Sequence, residues 1–404
     1  MPRVFILDPE FSHAGGHYFT ANSTFAGRIN PRVIIHASQH VDPALTIDGT
    51  VIKPTFFNLG RSQRLRAKRL SILGHIFSFT KSSGLQWLPK SRIYGPSIAH
   101  VFESERMNES DHLLIHSGNA VFLESLVSIL SAKDPSERPQ LHYRDAAPAP
   151  FQTDDIDAYR GLAHLCNQGS AEVYYETDAY AECLKHAGIS EARLCKIEMA
   201  ELGRLYPLPS LEKRLRVAIL GAYREEKGPL RLPSIARRYN QLARAKGLPE
   251  IEYVIHTPDV EGSADRYKKL TECLQDGQIH HHYSEGSGLN TGYLDYMLNS
   301  HVVLLPYDPE VYQVRGSGLG CDAVANGRIV VSQGDCAVCE YVRGGNGLTA
   351  VSDEDFANAL IGVVSDYERF SQNAYRQAET FRAALENHPL FVRLNGMRDT
   401  QPAV

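Results

Sequence analysis

The chain has 404 residues, 43% hydrophobic and 22% charged, with a net charge of −5. That length exceeds what one hydrophobic core usually organises and points to two domains of roughly 200 residues each; the composition argues against disorder and the charge against a general pull toward nucleic acid. No apolar run approaches the roughly 18 residues of a membrane span, the start lacks the apolar core of a signal peptide, and seven scattered cysteines predict reduced thiols in a cytoplasm.

In chain order, buried-strand runs alternate with helical stretches. Val4-Phe-Ile-Leu, Arg32-Val-Ile-Ile-His, His112-Leu-Leu-Ile-His116, Gln140-Leu-His-Tyr and Ala171-Glu-Val-Tyr-Tyr are strands of the first half. Arg216-Val-Ala-Ile-Leu220, Glu252-Tyr-Val-Ile-His256, His301-Val-Val-Leu-Leu305 and Arg328-Ile-Val-Val-Ser332 follow in the second. Runs apolar on both faces, each followed by a loop and a periodic helix, predict parallel sheets covered on both sides. The pattern pauses around 205–215, where Tyr206-Pro-Leu-Pro-Ser-Leu-Glu-Lys-Arg reads as a linker. The fold class expected is therefore α/β, with two Rossmann-like doubly wound domains facing across a cleft, 1–205 and 214–365. A C-terminal helix and tail over 366–404 has the option of crossing back to the first domain. Ligands of such domains bind outside the carboxyl ends of the strands, which places the site in the cleft.

The segment richest in chemistry is Leu304-Leu-Pro-Tyr-Asp-Pro-Glu-Val-Tyr-Gln-Val-Arg-Gly-Ser-Gly-Leu-Gly-Cys-Asp-Ala-Val-Ala-Asn-Gly-Arg-Ile-Val-Val331. It reads as strand, loop, glycine-rich turn, helix, glycine stop and strand. A helix beginning near Ser317 points unpaired N–H groups at a ligand, and a diphosphate suits such a terminus. Asp322, about one turn further in, can accept from two vicinal ribose hydroxyls. Arg315, Ser317, Gly318, Leu319 and Asp322 are the candidate binding residues here; a tight turn with no ligand is the alternative. A dinucleotide fingerprint is a poor match, because Cys321 stands where its third glycine belongs.

At these residues the chain resembles the GT-B glycosyltransferases, especially the large retaining family with an E-x7-E motif. Asp322-Ala-Val-Ala-Asn-Gly-Arg-Ile-Val-Val331 lines up with the family's E-A-M-A-x-G-x-P-V-V, which puts Asp322 at the ribose-binding glutamate. The first glutamate falls on Val314, a departure near the donor sugar, with Glu310 as a neighbouring carboxylate. Val217-Ala-Ile-Leu-Gly-Ala-Tyr-Arg-Glu-Glu-Lys-Gly228 is similar to the family's G-R-L-x-x-x-K-G. Its arginine falls on Ala222, so Arg224 would act from two residues on, together with Lys227. Both lie past a strand's carboxyl end, where cations neutralise a leaving diphosphate; a surface charge cluster is the alternative.

In the first domain, Gly15-Gly16 resembles the family's glycine-rich loop after the first strand, with His17 beside it. His116 resembles the strand-end histidine that faces the donor sugar, with His142 as runner-up; a satisfied core histidine is the alternative for either. The resemblance implies transfer from a UDP- or GDP-linked sugar to a glycan or lipid-linked acceptor, with retention, no cofactor and no metal. It assigns the catalytic work to His116, Arg224 and Lys227. Two alternatives stand beside it: a sugar-nucleotide epimerase or hydrolase on the same fold, and a silent sugar-nucleotide-binding scaffold.

Three further signals are weaker. Asp155-Ile-Asp157 matches a metal-binding D-x-D but more simply opens a helix capped by Thr153. The basic, partly amphipathic stretch 61–77 either rests on an anionic membrane at the inner surface or is a solvated face over an apolar stripe. His280-His-His282 reads as a solvated loop, and Cys336-x-x-Cys339 as ordinary thiols.

Overall fold

The computed structural model describes residues 2–13, 16–30, 32–56, 91–117, 120–144, 155–258, 262–286 and 292–396. Gly15, Thr153 and the basic stretch 61–77 lie outside the described residues, as do the side chains of His17, Asp155 and Asp157. Within them the chain forms two parallel sheets. The first holds β1 (Val4–Asp8), β2 (Val33–Ser38), β3 (Thr50–Phe56), β4 (His112–Ile115), β5 (Gln140–Arg144), β6 (Ala171–Tyr175) and β7 (Leu194–Lys196). Their spatial order is β3-β2-β1-β4-β5-β6-β7. The second holds β8 (Arg214–Leu220), β9 (Glu250–Pro258), β10 (His280–Gly286), β11 (Val302–Leu305), β12 (Ile329–Gln333) and β13 (Gly347–Ala350), in the order β10-β9-β8-β11-β12-β13.

Parallel neighbours need crossovers, and helices supply most of them; β2 and β3 are joined by residues 39–49 without a helix. The first lobe carries α1 (Gly16–Arg28), α2 (Ser91–Ser104), α3 (Ala120–Ser131), α4 (Asp155–Asn167) and α5 (Asp178–His186). The second carries α6 (Leu232–Lys246), α7 (Ser263–Asp276), α8 (Tyr293–Leu298), α9 (Gly318–Ala325), α10 (Asp353–Ser365), α11 (Tyr367–Glu386) and α12 (Pro389–Asn395). Every residue of β1, β2, β11 and β12 is buried, because helices cover both faces of the inner strands.

The nine strands expected from sequence are the nine inner ones. The four that went unseen, β3, β7, β10 and β13, are the four sheet edges. His280-His-His282 is thus part of an edge strand rather than a loop: β10 pairs on one side only, so its side chains stay largely exposed and its apolar pattern is weak.

Residues 197–213 join the lobes without helix or strand. Their carbonyls are taken by side chains of the second lobe: Arg328 Nη2 donates to Tyr206 O at 2.9 Å, Tyr367 Oη to Pro209 O at 2.7 Å and Arg382 Nη2 to Gly203 O at 2.8 Å. After α11, α12 returns to the first lobe. There Asn395 Nδ2 donates to Arg28 O at 2.8 Å, and Phe391 packs 5.9 Å from Phe25, centre to centre.

Candidate functional site

In each sheet the chain leaves the first strand on one side and later returns on the other. A crevice therefore opens at the carboxyl ends of β1 and β4, and of β8 and β11. The two crevices are furnished in opposite ways.

In the second lobe, Gly221 ends β8 with φ +96°, a conformation that strains any side chain. The chain then makes a short 3-10 turn, Glu225–Lys227, stopped by Gly228 at φ +70°. A Cβ on Gly228 would run into the carbonyl of Pro306, so glycine here lets the turn lie against the end of β11, where Asp308 N donates to Glu226 O at 2.8 Å. Lys227 Nζ is thereby brought over the end of β8, 3.5 Å from where a Gly221 Cβ would sit. Burial, then repulsion from Arg224 and Arg315, push the Lys227 ammonium down to about 8, with Glu226 offsetting part of this. The Arg315 guanidinium stands 5.5 Å from the centre of the Tyr312 ring. Among the described residues none of these three cations reaches a carboxylate at ion-pair distance. Three like charges held together, opposed only in part by Glu226, favour an anion.

The amino end of α9 opens beside them. Ser317 Oγ caps it by accepting from Gly320 N at 3.2 Å, and lies 3.1 Å from Tyr307 Oη. Gly318 is exposed, and a Cβ there would meet no atom within 4 Å, whereas Leu319 is buried in the core. Asp322 shares the Gly318 face of the helix, four residues on. Its Oδ1 accepts from Glu201 N at 2.7 Å and its Oδ2 from Tyr293 Oη at 2.7 Å; burial raises the carboxyl to about 7 against the pull of those bonds. Tyr293, Tyr307 and Tyr312 form a layer from Asp322 to Arg224: the rings of Tyr307 and Tyr312 are 4.3 Å apart, and Tyr307 feels both Arg224 and Tyr312. Arg224, Lys227, Arg315 and the α9 terminus thus share one region, with Asp322 at its far side.

In the first lobe the described polar groups at the strand ends pair with one another. Asp8, at the end of β1, accepts from Asn22 Nδ2 and Ser117 Oγ, each at 2.7 Å. His116, expected at the donor sugar, turns inward instead: its side chain is 1% exposed, Nε2 lies 3.1 Å from Asn22 Oδ1, and the ring stacks on Phe25 of α1. Burial and the nearby Arg144 push its pKa down to about 3, so the imidazole is neutral. His142 is fully buried between His112 and Tyr174. Gly16 opens α1, while Gly15 and the His17 side chain lie outside the described residues.

Sequence reasoning missed Arg144 and Glu176, an ion pair at the ends of β5 and β6, although both follow buried runs where such residues face a crevice. It also missed Tyr293 and Thr177. Thr177 follows a strand and precedes a periodic stretch, a helix-cap signature that was legible. Cys336 and Cys339 are free thiols, raised by burial. Asp155 opens α4, and no group of His, Cys, Asp and Glu suited to a metal occurs among the described residues.

No family model and no curated protein matches the sequence. Solved structures do. HepE from Anabaena, in complex with UDP-glucose, superposes with a TM-score of 0.61 at 14% identity, over 98% of this chain and 97% of that one. A UDP-forming α,α-trehalose-phosphate synthase from Burkholderia xenovorans, in complex with glucose-6-phosphate, gives 0.61 at 12% identity over 99% and 100%. WaaG, a glycosyltransferase involved in lipopolysaccharide biosynthesis, gives 0.53 at 13% over 97% of each. The fold is GT-B. Full coverage of both chains means that the two sheets and the returning C-terminal helices belong to one GT-B arrangement. In this GT-B chain Val314 offers no carboxylate; its carbonyl accepts from Thr177 Oγ1 at 2.6 Å, and Glu310 is exposed.

Proposed function

We propose that the chain is a glycosyltransferase that moves a sugar from a nucleoside diphosphate sugar to a glycan or lipid-linked acceptor. The observation that carries this reading is the gathering of Arg224, Lys227 and Arg315, with no carboxylate at ion-pair distance among the described residues, beside the open end of α9. A diphosphate supplies the missing negative charge, and its charge grows as the bond to the sugar breaks. Cations fixed at that point act mainly on the transition state. UDP is the first nucleotide to test, since HepE was solved with UDP-glucose.

In this reading the bond between the anomeric carbon and the diphosphate oxygen breaks, and the electron pair leaves with the nucleoside diphosphate. A bond forms from an acceptor hydroxyl to the same carbon, and the hydroxyl proton passes to the leaving phosphate. Retention of configuration and independence from metal go with this assignment: Arg224 and Lys227 supply the charge that a metal would otherwise bring. When ionised, Asp322 has four acceptor positions, of which Glu201 and Tyr293 occupy two, so two remain for ribose hydroxyls. Residues 1–205 take the acceptor and 214–365 the donor, with the helices of 366–396 joining them. His116 serves as a buried brace for the Asp8 network rather than a contact, and the site lies in a cytoplasmic protein whose stretch 61–77 touches a membrane when the acceptor is a lipid.

The test is nucleotide release from a panel of sugar nucleotides, with and without glycan and lipid-linked acceptors. Release that depends on acceptor supports transfer. Binding without turnover, or conversion to an isomer, overturns it.

A further inference from the structure

The loop 311–317 carries Arg315 and Ser317 from the end of β11 to α9, and the first lobe grips it. Thr177 Oγ1 donates to Val314 O at 2.6 Å. The Glu176 carboxylate lies 2.7 Å from where a Cβ on Gly316 would be, and Tyr341 Oη 3.2 Å from it, so the two lobes meet closely at this glycine. Ser317 N donates to Tyr341 Oη at 2.7 Å, and the Tyr341 ring lies against Gly320. From Val314 to Gly320 the backbone is thus held by Glu176 and Thr177 on one side and Tyr341 on the other.

The residue before Tyr341 ties these two sides together. Glu340 is 6% exposed at its side chain, and its carboxylate accepts from Asp178 N at 2.9 Å, from Ala179 N at 3.4 Å and from Lys196 Nζ at 2.7 Å. Asp178 and Ala179 are the first turn of α5, where free amides and the helix dipole favour a negative charge. Helix α5 is therefore capped twice, by its own Thr177, which accepts from Tyr180 N at 3.2 Å, and by a carboxylate of the other lobe. Asp178 in turn pairs with Lys196 and Arg343. A carboxylate buried this deeply is stable only because these donors surround it, so the two lobes cannot part here without stranding it.

We propose that Thr177 and Glu340 are positioning residues for the diphosphate: they form an interlobe clamp that fixes the 314–317 backbone so that Arg315 and the α9 terminus face the anion. This rests on the diphosphate reading of the preceding subsection. A loop ordered before the ligand arrives loses less entropy on binding, so the clamp acts on affinity without touching the ligand. It also gives the first lobe a part in donor binding that no first-lobe contact to the nucleotide is needed to explain.

The full chain is compared with Thr177→Val, Thr177→Ser and Glu340→Gln by hydrogen–deuterium exchange and by calorimetric titration with UDP. Valine keeps the shape of threonine but removes the bond to Val314; serine restores it. The expected result is faster exchange in 311–320 and a Kd for UDP raised about fivefold to tenfold in the valine and glutamine variants. Serine stays near wild type, and exchange in 214–220, the central strand β8, is unchanged. Exchange that rises only in 178–186, with 311–320 and the Kd unmoved, shows Thr177 and Glu340 to be local caps of α5 and overturns the clamp. Exchange that rises everywhere reports general loosening and also overturns it. Failure of the wild-type chain to bind UDP sinks the diphosphate reading instead, and the exchange pattern still decides whether the clamp exists.

Discussion

The crevices of the two lobes occupy the same place in the same strand order, β1 with β4 and β8 with β11, yet their polar groups are treated differently. In the first lobe Asp8, Asn22, His116 and Ser117 satisfy one another, and the histidine is neutral. In the second, Arg224, Lys227 and Arg315 crowd together with no carboxylate at ion-pair distance among the described residues, and the lysine is depressed by burial first and then by Arg224 and Arg315, against a smaller pull from Glu226. Polar groups that pair with one another add rigidity. A group of cations only partly balanced by Glu226 is destabilised until an anion arrives. Under the proposed function this contrast separates a binding lobe from a bracing one.

The largest effect is expected at Lys227 and Arg224. A charge-assisted hydrogen bond is worth about 1.5–3 kcal/mol, so Lys227→Ala or Arg224→Ala should weaken UDP binding by roughly 10- to 100-fold. Titration calorimetry of both variants measures this, and unchanged affinity in both removes the diphosphate site. The same lysine predicts a pH effect. Its folded pKa, about 8, lies below the ordinary 10.5, so the folded protein releases this proton earlier than the unfolded chain. The ligand-free fold is therefore penalised below pH 8 and relieved as pH rises toward 10.5, while the charge available to a diphosphate disappears over the same range. UDP affinity should fall about tenfold between pH 7 and 9.5. A Lys227→Arg variant stays charged, and an equal fall in that variant assigns the titration elsewhere.

A smaller effect is expected at Asp322. Replacing it with Asn keeps the size and one acceptor oxygen but removes the charge. UDP affinity should drop about fivefold, consistent with the loss of one charged acceptor. The comparison that sharpens this is 2′-deoxy-UDP: if Asp322 holds the ribose, Asp322→Asn costs less with the deoxy ligand than with UDP. Equal costs would make Asp322 a brace for Glu201 and Tyr293 alone.

Sequence legibility divided along the same physical lines. Inner strands such as Val4–Asp8 and Ile329–Gln333 announce themselves because both faces are buried, which leaves an unbroken apolar run. Edge strands such as His280–Gly286 and Leu194–Lys196 are half-exposed and lose that signature. The cations of the second lobe were legible because Gly221 and Gly228 mark turns at a strand end and the charges follow directly. The inward turn of His116 was not, because it depends on Phe25 and Asn22, about ninety residues earlier in the chain. The clamp of Glu340 on α5 joins residues 162 apart and has no local trace at all.

His116 gives the smallest expected effect on ligand and the sharpest test of the contrast. Its pKa of about 3, against an ordinary 6.5, means that the fold accepts only the neutral ring. Below pH 6.5 the unfolded chain takes up a proton that the folded chain refuses until about pH 3, so this residue lowers stability progressively as pH falls through that window. His116→Gln removes the titration while keeping a polar group near Asn22. Its acid unfolding should therefore depend less steeply on pH than that of wild type, although its stability at neutral pH should be lower, because the stacking on Phe25 is lost. UDP and UDP-sugar affinity should stay within about twofold, since a ring enclosed by Phe25 and Asn22 does not reach the second lobe. A loss of tenfold or more in sugar-nucleotide affinity, with UDP affinity kept, would place the ring at the sugar after all. The pairing of polar groups in the first-lobe crevice would then be a resting state, and the division between a bracing and a binding lobe would fail.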